Sequence, residues 1–279
     1  MINESFKIFF ISYFVIYGSI HFLLILVSYF EMKFGILYRL MTHFDAQTIN
    51  SQLRGVSLLV SESKNRSLPL KLQYPQYEVI NIDARNPNSI NEALKKVHFP
   101  YVCLIHAETP PEDFLFQIMK LILLKKRTVY AVSSPLISGY WNAQLSKKIA
   151  LARFNCLLES EGIIVIEKET AMKMGGIEAF NFFNLHRYLL ENKISGDVIF
   201  YPYVLPHKIL KEVRKDYVKC KMMEFRNLGR HLWRHRVMFL NPHYKQIGLV
   251  AFPYYVFIEF LGPLFILLGL VLLPFFFFL

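Results

Sequence analysis

Hydrophobic and polar positions divide the chain into three blocks. Residues 9–30 read FFISYFVIYGSIHFLLILVSYF without one formal charge, and residues 247–279 carry one acid, Glu259, and no base. A helix crossing the hydrocarbon core takes about 20 apolar residues, so each end predicts a membrane span. Between them, from Gly55 to Tyr203, short β-branched runs alternate with helical stretches, which predicts an α/β domain on a largely parallel sheet. Strands are expected at 55–61, 77–83, 101–107, 128–134, 162–168 and 197–203. Several are continuous apolar runs, as strands covered on both faces should be.

Helices fit between the strands. Ser89 reads as the N-cap of 90–97, with Glu92 completing a capping box. Thr109-Pro110-Pro111 opens a helix to Leu124, and 142–158 and 179–192 carry amphipathic spacing. Gly175-Gly176 supply permissive backbone angles at a turn.

Charge orients this arrangement. Lys7 is the only base, and Glu4 and Glu259 the only acids, outside residues 31–246. Of the chain's 32 bases and 21 acids that middle keeps 31 and 19, a net of +12. A basic domain beside a membrane belongs on the cytoplasmic side. The expected localisation is integral to the cell membrane, with the amino terminus outside and the soluble domain cytoplasmic. No small-residue cleavage site follows the first block, so it reads as a retained anchor. Residues 207–236 hold ten bases against three acids, interleaved with Phe225, Leu228, Leu232 and Trp233. This predicts a basic amphipathic helix lying on membrane lipid, and the charge calls for no nucleic acid. Cys103, Cys156 and Cys220 lack metal-ligand spacing and read as free thiols. His21, alone on an apolar helix, reads as a packed or interfacial residue. The organisation is a tail (1–8), a transmembrane helix (9–30), a connector (31–54), the α/β domain (55–206), the basic interfacial segment (207–246) and a carboxy-terminal transmembrane region (247–279).

Ordered motifs then point to a family. VSLLVS, YPQYEVINIDARN, INEALKKVHFPYVCLIHAETPPEDFL, GIIVIEKETAMKMGG, NLHRYLLENKISGDVIFYPY and LWRHRVMFLNPHYKQIGLVAFPYYVFIEFLGPLFILLG follow one another along the chain. Together they resemble the membrane-bound family 2 glycosyltransferases of the processive, polysaccharide-synthase-like branch. The resemblance implies a GT-A (Rossmann-like) cytosolic domain flanked by transmembrane helices. It also implies a nucleotide-diphosphate sugar donor and a divalent metal, Mg or Mn, bridging the diphosphate. By the same resemblance Asp83 falls at the nucleotide-binding position, His106 and Glu108 at the metal-binding D-x-D, and Glu178 at the general base. Glu259, in the counterpart of the family's F-E-x-x-G-P sequence, takes a structural role, pairing with the basic interfacial segment.

The departures from the pattern are as informative as the matches. The acidic pair is reduced to Asp83-Ala84, the D-x-D to His106-Ala107-Glu108, and the Asn and Glu after the first strand to Lys64 and Asn65. The Q-x-x-R-W segment falls on residues 220–224, where no signature residue remains. Each candidate also has a plainer reading: Asp83 as a turn former before Asn-Pro-Asn, His106 and Glu108 as a turn at a strand end, and Glu178 as a first-turn carboxylate complementing a helix dipole. The expectation is a catalytically degenerate member of a polysaccharide or glycan synthesis assembly, partnered by a full-length synthase or other subunits. An active metal-dependent transferase using His106, Glu108, Asp83 and Glu178, or a decaying gene product, are the alternatives.

Overall fold

A computed structural model describes residues 2–35, 53–61, 72, 74–82, 87–105, 114–124, 128–134, 143–158, 163–176, 181–201 and 217–278. Among them six strands form one sheet: β1 (Val56–Ser61), β2 (Tyr77–Ile82), β3 (Tyr101–Ile105), β4 (Val129–Ser134), β5 (Ile163–Glu167) and β6 (Asp197–Phe200). Their order is β2-β1-β3-β5-β4-β6. β1 pairs in parallel with β2 and β3, as β4 does with β6, while β5 runs antiparallel to both neighbours. The sheet is therefore mixed, and β5 is where the expectation of parallel strands fails. A strand buried on both faces reads the same in either direction, so hydrophobicity could not reveal the reversal. All five residues of β3 are buried, at the middle of the core.

The helices of this domain are α2 (Pro87–Lys96), α3 (Phe114–Leu124), α4 (Ala143–Arg153), α5 (Lys168–Lys173) and α6 (Phe182–Glu191), followed by α7 (Tyr217–Arg234). α2 starts on Pro87, whose missing N–H and fixed φ suit a first helical residue. Ser89 is consequently inside the first turn and not its cap. α4 is shorter than its sequence pattern, because Asn155 takes a left-handed φ of 54°. The Cys156 N–H returns to the Leu151 carbonyl at 2.8 Å, closing the helix end. α6 is capped by Asn181, whose Oδ1 accepts the Asn184 N–H at 2.7 Å.

Both apolar ends are helical. The first is α1 (Ile2–Phe34). The second passes through π-helical turns at Ile247–Ala251 and Tyr255–Phe260 into α8 (Gly262–Phe278). At the junction the Leu261 N–H bonds the Val256 carbonyl five residues back, and the Phe265 N–H bonds Leu261 four back. The helix thus changes pitch at Gly262-Pro263 without a break. Two stretches, Lys7–Phe34 and Ile247–Gly269, are long and apolar enough to cross a membrane.

α1 has two partners. Its first half packs on α8: Tyr13 and Phe265 rings lie 4.9 Å apart, Gly262 sits under Tyr13 and Tyr17, and Gly269 against Phe10 and Phe14. Its second half runs along α4. There Ser28 of α1 and Ser146 and Ala150 of α4 are fully buried, small enough for close helix approach. Arg153 pairs with Glu31 at 3.1 Å. His21 packs against Tyr17, the rings tilted by 31° with centroids 4.2 Å apart.

Candidate functional site

In open α/β sheets, ligands bind outside the carboxyl ends of the strands where the order reverses. Here β1 ends at Ser61, β2 at Ile82, β3 at Ile105, β4 at Ser134 and β6 at Phe200, all on one edge, joined there by the start of the reversed β5. The reversal point lies between β1 and β3, since β2 pairs on the other side of β1. Ser61 faces Ile82 and Val60 faces Ile105, so the three strands end within one residue of each other. At ordinary strand spacing the ends of β2 and β3 lie about 10 Å apart across β1.

Asp83 directly follows β2 in the sequence, and His106 and Glu108 follow β3. All three, with Glu178, Lys64 and Asn65, lie outside the described residues. The structure therefore describes the edge that precedes the candidates and not the candidates themselves. Among the described residues no three His, Cys, Asp or Glu side chains converge as a metal site requires. Residues 220–224 lie on α7, where Met222 and Met223 are exposed.

The turn leading toward Glu178 is fixed by its glycines. Gly175 and Gly176 hold φ of 93° and 100°, and their N–H groups return to Met172 and Ala171. A Cβ on Gly176 would meet Asn91 of α2 at 2.0 Å. The expected permissive angles are present, and a close approach to α2 accompanies them.

Further along, α6 meets α7 through aromatic rings. Phe183 stacks on His231 (5.8 Å, 15°) and on His235 (5.5 Å, 14°), and the Asn181 amide nitrogen lies 3.4 Å from His231 Nδ1. Burial lowers the pKa of His235 to about 4, with Arg187 adding to the effect. Burial, with Arg234 and Arg230, lowers that of His231. His186 donates from Nε2 to the Leu157 carbonyl at 2.9 Å, and burial lowers its pKa to about 4. His186 and His235 are therefore neutral at pH 7 and act as packed rings, not as poised bases. Sequence reading passed over this cluster; the signal available was the His231/His235 spacing of four on a helix next to an aromatic-rich one.

A Ser-His-Glu group lies at the opposite edge. Glu78 accepts the Ser57 hydroxyl, the His98 N–H at 2.8 Å and His98 Nδ1 at 2.9 Å. Burial pushes the Glu78 carboxyl up, but these hydrogen bonds together outweigh it and hold it below the usual range. Ser57 is completely buried and bonds the carboxylate directly, so the group anchors the α2–β3 connection rather than forming a nucleophilic triad.

Glu259 was expected to pair with the basic segment. Instead Lys147 of α4 donates to its Oε2 at 2.6 Å and the Tyr254 hydroxyl to its Oε1 at 2.6 Å.

The fold of the mixed six-stranded sheet with its flanking helices is similar to that of a solved mannosyltransferase. That neighbour is PcManGT, a mannosyltransferase from Pyrobaculum calidifontis in complex with GDP-Man and Mn2+. The TM-score is 0.54 at 15% identity, covering 87% of this chain and 80% of that one. No family model matches the sequence, and no curated protein does.

Proposed function

We propose that the chain is a membrane-anchored protein of the family 2 glycosyltransferase type, with a GT-A domain at the cytoplasmic face of the membrane. In this reading it has lost catalysis and serves glycan or polysaccharide synthesis by binding an intact synthase or other assembly subunits. The observation that carries the architecture is the extent of the likeness. It covers 87% of the chain, whereas residues 55–206 make up about half of the 279. That share is larger than the sheet domain alone, and among the described helices two stretches are long and apolar enough to cross a membrane, which supports the reading.

Holding a sugar diphosphate takes several carboxylates around a hard divalent cation. The sequence offers Asp83 beside Ala84, Glu108 beside a histidine instead of a second acid, and Glu178. A lone carboxylate with an imidazole is a poor Mg or Mn set.

A second reading, an active metal-dependent sugar transferase, is favoured by the GDP-Man and Mn2+ in the neighbour's site. In it His106 and Glu108 hold the metal, Asp83 the nucleotide, and Glu178 acts as base. Titration of the full-length purified chain with GDP, GDP-mannose and UDP, with and without Mn2+, separates the two. No binding at millimolar nucleotide supports the degenerate reading, and its partner is then sought by pull-down from native membranes. Metal-dependent binding that Glu108→Ala abolishes supports the enzyme.

A further inference from the structure

Glu259 lies inside Ile247–Gly269, a stretch apolar enough to cross a membrane. Both carboxylate oxygens are engaged. Tyr254, on the same segment, takes Oε1. The neutralising cation, Lys147, comes from α4 of the sheet domain, 112 residues earlier. The pair is enclosed, with side chains 5% and 15% exposed. Lys147 is positioned by α4, which packs on β6 and against α1. α4 in turn has its orientation fixed by Asn155 at its end: Asn155 Oδ1 accepts the Val198 N–H of β6 at 2.9 Å. Lys147 therefore reaches this place once the sheet has assembled.

An ionised carboxylate inside a membrane span is costly, and such residues pair or face a polar cavity. A buried lysine left without its anion is costly in the same way. Residues 55–206 precede Glu259 along the chain, so the domain can fold before the last apolar segment has to settle. We propose that the Lys147–Glu259 pair is a folding checkpoint: the carboxy-terminal segment becomes stably membrane-inserted when the folded sheet domain presents Lys147 to Glu259. The inference rests on the membrane-anchored reading of that segment. The pair does more than hold two helices together, since it makes insertion of one conditional on the fold of the other.

The test uses the full chain with a glycosylation acceptor appended behind a flexible spacer after Leu279, translated into microsomes. The glycosylated fraction reports translocation of the terminus. Lys147→Met lowers that fraction on the order of tenfold. Glu259→Gln, which leaves the enclosed Lys147 without its anion, lowers the fraction as well, and a parental fraction there would count against the pairing. The double variant Lys147→Met/Glu259→Gln returns to the parental fraction, because no unpaired charge remains. Insertion of Lys147→Met at the parental level overturns the proposal. So does a double variant that stays as low as Lys147→Met, since Lys147 would then serve the domain's fold alone. A parental terminus that is never glycosylated removes the span itself, and the inference falls together with that reading.

Discussion

The backbone N–H of Leu158 donates to the hydroxyl of Tyr255 at 3.3 Å, joining the loop before β5 to the carboxy-terminal apolar segment. Tyr255 is completely buried, and its ring packs edge-on to Phe183. The neighbouring Leu157 carbonyl is held by His186. One short loop is thus gripped from the sheet domain and from the segment beyond it. Tyr255→Phe keeps the ring and strands a buried donor, which costs about 1–3 kcal/mol. Thermal unfolding of the detergent-purified chain should show a lower midpoint. A midpoint equal to the parent's would mean that the loop N–H finds another partner.

Asn155 predicts a graded series. Its left-handed φ favours glycine or asparagine, and its side chain bridges to β6, accepting from Val198 and donating to the Gly196 carbonyl at 3.3 Å. Asn155→Gly loses the bridge and keeps the angle, at a cost of about 1–2 kcal/mol. Asn155→Ala loses both and should be destabilised by about 1 kcal/mol more. Denaturant midpoints at constant slope read the order, and alanine at or above glycine would contradict it.

His186 sets a pH dependence. Its folded pKa, about 4, lies below the ordinary 6.5, so between these values the unfolded chain binds a proton that the folded chain refuses. Stability is complete above pH 6.5 and falls as the pH drops toward 4, by up to about 1.4 kcal/mol per pH unit for this one group. His186→Gln, measured by denaturation at pH 7, 6 and 5, should lower that slope by about one proton. An unchanged slope would show that His186 is not the group responsible.

Gly176→Ala combines a strained φ with a Cβ driven into Asn91. Gly175→Ala, with a similar φ and open space around it, carries the strain alone, about 1–2 kcal/mol. The Gly176 variant should be the less stable of the two. Adding Asn91→Ala should recover the difference between them and leave the strain. Equal stability of the two glycine variants would mean that Asn91 yields freely.

The strands were legible because β1, β3 and β5 read VSLLVS, YVCLI and IIVIE, nearly continuous apolar runs such as strands covered on both faces carry. The same uniformity concealed the direction of β5. α2 starts at Pro87, ahead of Ser89, because a fixed φ and a missing N–H suit a first helical residue. Lys147 was illegible as a core residue: amphipathic spacing marks this stretch as a helix but does not show that Lys147 is buried where Glu259 arrives from far down the chain. The candidate site was legible as a location, the residues following β2 and β3. Its chemistry was not, because Asp83, His106 and Glu108 depart from the pattern that would have declared it.

α1 is about 50 Å long at helical rise, against a hydrocarbon thickness of about 30 Å. Its second half is clamped along α4 while its first half pairs with α8. In the membrane-anchored reading, a single stiff rod belongs to the bilayer at one end and to the sheet domain at the other. A thicker or thinner bilayer changes the tilt of such a rod, and the domain must swing with it. The angle at which the sheet's carboxyl edge meets the lipid surface would then follow membrane thickness, a dependence that a flexible tether could not transmit.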